Sequence, residues 1–217
     1  VAPISANATN NVAMWLGSFA SAGSFRDEID IPRKTLVVML VASAIGSIAG
    51  AIVLLRTTNA TFAGLIPWLL LGATTIFIAG PALTKAARNS GNALSLDSPL
   101  GVALQFAIAL YGGFFGAAIG ILMLALLGVL GVADLRRANA FKALLATVIN
   151  GVAVIPFVIA RAIAWEPAVF MCAGAVAGGF LGADLVKRLP SNVVRLFVIV
   201  VACTMTAYFF WKTSLRH

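Results

Sequence analysis

Between Leu100 and Gly131 the chain runs 32 residues without a charged side chain. A helix needs about 20 apolar residues to cross a bilayer core of roughly 30 Å, so this run is too long for one crossing and too short for two. Gly112, Gly113, Gly116 and Gly120 lie near its middle. Two half-membrane helices joined by a glycine turn account for both the length and the glycines. Such a hairpin is tolerated only where protein or a water-filled cavity shelters the broken backbone. The alternative is one long tilted helix whose glycines serve packing.

Six other stretches are of spanning length. Leu36–Leu55, Phe62–Pro81, Ala138–Ala160, Pro167–Val186 and Val193–Trp211 are strongly apolar, while Val1–Ser24 is uncharged but holds Asn7, Thr9, Asn10 and Asn11. The runs are continuous rather than alternating, which excludes a closed β-barrel. Only 10% of the residues are charged and 61% are apolar, so the chain cannot cover a water-facing surface and must partner a lipid bilayer. Cys172 and Cys203 sit inside apolar runs as small hydrophobes, and the single histidine is His217. No metal site or cofactor is expected, and an intramembrane enzyme lacks both a histidine base and paired carboxylates. The net charge of +8 reads as loop lysines and arginines at the cytoplasmic face rather than as a nucleic-acid surface.

Those charges discriminate between the two readings of the long run. If it crosses once, the fifteen Lys and Arg divide 8 to 7 between the two sides. If it enters and leaves on one side, Arg26, Arg33, Lys34, Lys85, Arg88, Arg136, Arg137, Lys142, Lys187, Arg188 and Arg195 share a face. Arg56, Arg161, Lys212 and Arg216 then hold the other, and 11 to 4 is the asymmetry expected with the richer face cytoplasmic.

A shift of 132 residues lays Ala6-Asn7-Ala8 on Ala138-Asn139-Ala140, Gly46 and Gly50 on Gly178 and Gly182, Met39 on Met171 and Phe77 on Phe209. A weak, collinear identity of this kind is the form taken by an internal duplication. With a hairpin between the halves, the copies run in opposite directions through the membrane. The expected fold is an all-α polytopic membrane protein of six spanning helices and one glycine-broken re-entrant hairpin. Residues 1–81 form a first repeat, 82–99 a cytoplasmic linker and 100–217 a second repeat. The counterpart of Leu100–Gly131 falls before residue 1, so roughly 30 or more residues holding a first hairpin are expected to be missing from this sequence.

The string Tyr111-Gly112-Gly113-Phe114-Phe115-Gly116-Ala117-Ala118-Ile119-Gly120 resembles the signature of the TauE/SafE sulfite exporter family. Asn139-Ala140-Phe141-Lys142, Ile149-Asn150-Gly151, Gly178–Ala183 and Pro3–Asn10 resemble other stretches of that family. Ala118 departs from it, standing where glycine is expected. The resemblance implies a secondary transporter of the bacterial inner membrane that exports a small anion such as sulfite, sulfate or an organosulfonate. A proton or sodium ion is a possible coupling partner, and a homo-oligomer a possible assembly. An anion channel or a non-transporting scaffold is the alternative.

Lys142 is a cation about one turn inside a spanning segment, suited either to attract an anion or to snorkel to the cytoplasmic face. Asn7, Asn10, Asn11, Asn139 and Asn150 must face protein, where they ligate an anion or hydrogen-bond between helices. The repeat places Asn7 and Asn139 at equivalent depths on opposite sides of a pseudo-twofold axis. Gly112, Gly113 and Gly116 allow a turn and a close backbone approach beside the anion. Gly46 with Gly50, and Gly178 with Gly182, read as packing faces. Asp184 reads as a local ion pair with Lys187 and Arg188, and Pro67 and Pro156 as bends within helices.

Overall fold

The computed structural model describes residues 1–24, 31–89, 95–132 and 134–214, and among these the regular structure is entirely helical. Eight helices follow one another: α1 (Pro3–Ser24), α2 (Arg33–Leu55), α3 (Asn59–Asn89), α4 (Pro99–Phe114), α5 (Ile119–Val129), α6 (Leu135–Ile159), α7 (Trp165–Arg188) and α8 (Ser191–Ser214). Stretches within α2, α3, α6, α7 and α8 are long and apolar enough to cross a membrane. The sequence suggested a sixth span at Val1–Ser24. With 22 residues α1 has the length, but its polar side chains turn inward, Thr9 and Asn11 being all but inaccessible. Pro67 and Pro156 lie inside α3 and α6, which continue through them.

The long uncharged run is not one helix. It breaks at Phe115–Ala118, where Gly116 has φ +73° and Ala118 φ +64°, and two left-handed residues so close together stop a right-handed helix. At 1.5 Å per residue α4 is about 24 Å long and α5 about 16 Å, each short of a bilayer core. Helix α5 folds back along α4, so that Gln105 Nε2 lies 3.9 Å from Met123 Sδ. It ends on Gly131 at φ +85°, with the Val132 N–H donating 2.9 Å to the Leu127 carbonyl. Leu96, before α4, and Val132, after α5, pack on the same buried cluster, which contains Met39, Met123, Phe141 and Leu145. The Ser98 and Asp134 side chains cap α4 and α6. Beside Ser98, Ser95 donates to the Asp97 carboxylate and holds its pKa below the ordinary value, with Lys34 adding a weaker pull.

Backbone-to-backbone packing fixes the hairpin. A Cβ at Gly46 would lie 2.6 Å from the Phe106 carbonyl oxygen, and one at Gly50 would strike Leu110 and Phe114. Gly113 in turn meets the backbone of Ser47, so α2 and α4 touch through bare main chain on both sides. Gly46 and Gly50 are thus the packing face their spacing suggests. Gly178 and Gly182 are not, because nothing lies within 4 Å of a Cβ built on either. The adjacent Gly179, one helical step around α7, makes the close contact, against Gly17 of α1. A reciprocity accompanies it. Ser47 of α2 hydrogen-bonds the Ile149 carbonyl of α6, and Gly179 of α7 meets the Gly17 carbonyl of α1, both residues displaced by 132.

Helices α1 and α6 run antiparallel, since the Ala164 N–H just beyond α6 donates 3.0 Å to Thr9 Oγ1 near the start of α1. At that same end the Ile4 N–H donates to Asn59 Oδ1 at the start of α3. Helix α8 lies on α3 through the Arg195 guanidinium on the Ile78 carbonyl and the Trp68–Phe210 ring pair. The side chains of Asp184, Lys187 and Arg188 lie outside the described residues, and so does the ion pair expected of them.

Candidate functional site

The break between α4 and α5 places helix-end backbone groups beside buried polar side chains. Ala118 precedes α5 in the left-handed region and gives no side-chain cap. The first turn of α5 thus begins with N–H groups that its own helix cannot satisfy and with the positive end of its dipole. Asn11 of α1 faces the break. It is 1% exposed, its Nδ2 lies 3.3 Å from the Cβ position of Gly116, and neither of its amide atoms has a hydrogen-bond partner. A buried amide left without partners costs about 1–3 kcal/mol.

On the α6 side, the Lys142 stem packs over Gly120, with Cδ 3.5 Å from that residue's Cβ position. The Lys142 ammonium donates 2.8 Å to Asn139 Oδ1. A cation beside a helix N-terminus meets like charge with like, a juxtaposition that an anion between them would relieve. Asn150, two turns further along α6, is 1% exposed and likewise unpartnered at both amide atoms. Its neighbour Ile149 fills the space over Gly112.

The residues singled out in the sequence therefore separate. Asn7 Nδ2 donates 3.3 Å to the Phe114 carbonyl, capping the end of α4 at the break, while Asn10 is half-buried one turn on. Gly112, Gly113 and Gly116 lie at or beside the break, Gly116 as its turn and the other two as points of close approach. Asn139 and Lys142 lie near the start of α6, whereas Asn7 lies by its end. Asn7 reaches the break from α1 on the α4 side, and Asn139 is joined through the Lys142 ammonium to the α5 side.

A cavity of about 770 Å³ leads to the break from the end of the molecule where α1 and α3 begin. Asn7, Phe62, Ile66, Phe115, Ala117 and Phe209 are among its walls. Sequence reasoning undervalued Asn11, because the repeat pairs it with Ala143 and so gives it no mate. It also passed over Gln105, which is fully buried and donates 2.9 Å to Ser43 Oγ. A signal for it does exist, since Gln105 is the one side-chain amide in the 32-residue run.

The multi-helix apolar fold, with its broken hairpin and inward-facing amides, is that of a polytopic membrane protein. The family model described as "Sulfite exporter TauE/SafE" matches residues 1–209, and the chain belongs to that family of membrane transporters. It is also similar to a protein of Haemophilus influenzae described as a "Probable membrane transporter protein". The two are 25% identical over 216 residues, 99% of this chain and 83% of that one. No solved structure matches the chain.

Proposed function

We propose that the protein is a secondary transporter that exports a small sulfur oxyanion or organosulfonate, such as sulfite or sulfate, across the bacterial inner membrane. The observation that carries this reading is the unpaired, buried Asn11 amide at the uncapped start of α5, with the Lys142 stem on the same turn. Amide N–H groups, a helix N-terminus and a nearby ammonium are the donors a tetrahedral or pyramidal oxyanion needs. The family name, which speaks of sulfite export, supports the substrate class.

In this reading α4–α5 is a re-entrant hairpin, entering from and returning to the cytoplasmic side, and five or six helices span. The joint packing of Leu96 and Val132 supports a common side for its two ends. The cavity beside Asn7, Phe115 and Ala117 supports an outward route from the break, and alternating access closes it while a cytoplasmic path opens. A coupling proton or sodium ion and a homo-oligomeric assembly are part of the same proposal.

The test is flux of sulfite, sulfate and sulfoacetate through proteoliposomes, wild type against Lys142→Gln. Saturable flux that falls at least tenfold in the folded variant is the expected result. Flux unchanged by the substitution sinks the role of Lys142. Ohmic conductance without uphill movement points to a channel, and absence of flux for every anion points to a scaffold.

A further inference from the structure

We propose that the α4 end of the break binds a sodium ion, held by the side-chain oxygens of Asn11 and Asn150 and by the last backbone carbonyls of α4. A broken helix has two ends of opposite polarity. The transport reading uses the α5 end, with its N–H groups. The α4 end carries carbonyls that its own helix leaves unpaired and the negative end of a dipole. Two of these carbonyls are taken, Tyr111's by the Phe115 N–H and Phe114's by Asn7 Nδ2. Between them, Gly112 and Gly113 accept no hydrogen bond among the described residues. The Gly112 oxygen lies 3.5 Å from the Cβ position of Gly116, and Asn11 Nδ2 lies 3.3 Å from the same point. The buried Asn11 amide and the open end of α4 thus meet across a glycine.

Asn150 comes to the same region from α6, and its neighbours fix where it stands. Ile149 lies over Gly112, and Gly151 lies against the indole of Trp15, one turn along α1 from Asn11. Ala153, on the same face of α6 as Asn150, packs in one cluster with Val12 and Phe115. Asn150 therefore stands between α1 and α4, about one helical turn from the level of Asn11. Both amides are buried and neither atom of either is hydrogen-bonded. Two side-chain oxygens and two backbone oxygens are thus left to a ligand around the end of α4.

The chemistry of these ligands selects the ion. All are neutral oxygens, and no metal-holding group of His, Cys, Asp and Glu occurs among the described residues. A divalent ion would keep an uncompensated charge there, and a transition metal wants imidazole or thiolate. Unwound carbonyls and helix C-terminal ends are the groups that hold sodium where transporter helices break. A proton has no seat at this end. The Lys142 stem lies over Gly120 on the α5 side, and the Tyr111 hydroxyl donates to the Leu69 carbonyl of α3. An amide carries donor and acceptor on opposite corners, so Asn11 can donate to an anion at α5 while its oxygen holds the cation. Each ligand then tightens the other by the same factor. Cells keep internal sodium low, and an ion leaving with an exported anion would run uphill, so the sodium is a resident counter-charge and not a cargo. This linkage rests on the transport reading; the binding of sodium does not.

The experiment follows the thermal midpoint of the purified complete polypeptide, without any sulfur anion, as sodium chloride replaces choline chloride at fixed ionic strength. A saturable rise that potassium chloride does not reproduce is expected, with saturable binding of radioactive sodium to the same sample. Asn150→Leu should keep or raise the sodium-free midpoint, since it removes an unpaired amide, and should raise the half-saturating sodium concentration at least tenfold. Asn11→Leu is the second variant and should respond alike. A rise matched by potassium or choline overturns the proposal, as does a wild type without saturable sodium binding, or a sodium response unchanged in both variants. In proteoliposomes, sodium should lower the half-saturating sulfite concentration, and sulfite flux indifferent to sodium overturns the linkage. Absence of all flux removes the transport reading and leaves the binding result standing.

Discussion

Gly50→Ala is the smallest change that tests whether bare backbone contact holds the hairpin to α2. The added methyl would lie 2.8 Å from the Phe114 nitrogen and 2.9 Å from the Leu110 carbonyl carbon, with the Leu110 oxygen nearer still. All three are main-chain atoms and cannot rotate aside. Ordinary Cβ contacts begin near 3.4 Å, so the Leu110 carbonyl oxygen, the nearest of the three, forces α4 to retreat by more than an ångström along this stretch. A gap of about 0.5–1 Å forfeits a quarter to a half of each dispersion well it opens, and overpacking of this kind costs about 1–3 kcal/mol. Alanine returns about 0.5–1 kcal/mol through its better helix propensity. The expected net loss is about 1–2 kcal/mol, or roughly 2–8 °C in thermal midpoint for a chain of this size. Gly72→Ala on α3 is the control, since nothing lies within 4 Å of its Cβ position. Scanning fluorimetry of both variants in the same detergent reads the difference. If Gly50→Ala matches Gly72→Ala or exceeds the wild type, α2 and α4 are not held as described.

Asn11→Leu should raise the thermal midpoint while reducing anion flux, because it removes an unpaired buried amide that the transport reading requires; a variant that is both less stable and fully active would contradict this. Ala118→Gly should stabilise the protein by up to about 1 kcal/mol, as a left-handed L-residue costs about 1–2 kcal/mol and glycine's unfolded-state entropy takes part of that back. Denaturant or thermal titration checks it, and a destabilised variant would mean the break is held differently. Cysteines at Asp97 and Asp134 should react with an impermeant maleimide from the same side in oriented vesicles, and labelling from opposite sides would refute a re-entrant hairpin.

The break was legible because its cause is local. Four glycines within an over-long apolar run are hard to reconcile with one straight helix, and Ala118, a departure from the family pattern, proved to be a left-handed residue itself. The face of α2 was legible for the same reason. The face of α7 was not, because Gly178, Gly179 and Gly182 offer two overlapping patterns, and only the position of α1 selects Gly179. The burial of Thr9 and Asn11 was not legible either, since it depends on neighbours more than 100 residues away. The antiparallel crossing of α1 and α6 likewise is encoded by no spacing within either helix.

That crossing has a consequence for biogenesis. Thr9 meets its hydrogen-bond partner Ala164 across 155 residues of sequence, and Gly17 meets Gly179 across more still. At a synthesis rate of about 5–20 residues per second, α1 must wait roughly 8–30 s for the helices that cover it. Throughout that interval its asparagines confront whatever lines the insertion site. Helix α1 is therefore made long before the helices that cover its polar side chains, whereas α4–α5 emerges to find its seat on α2 already made.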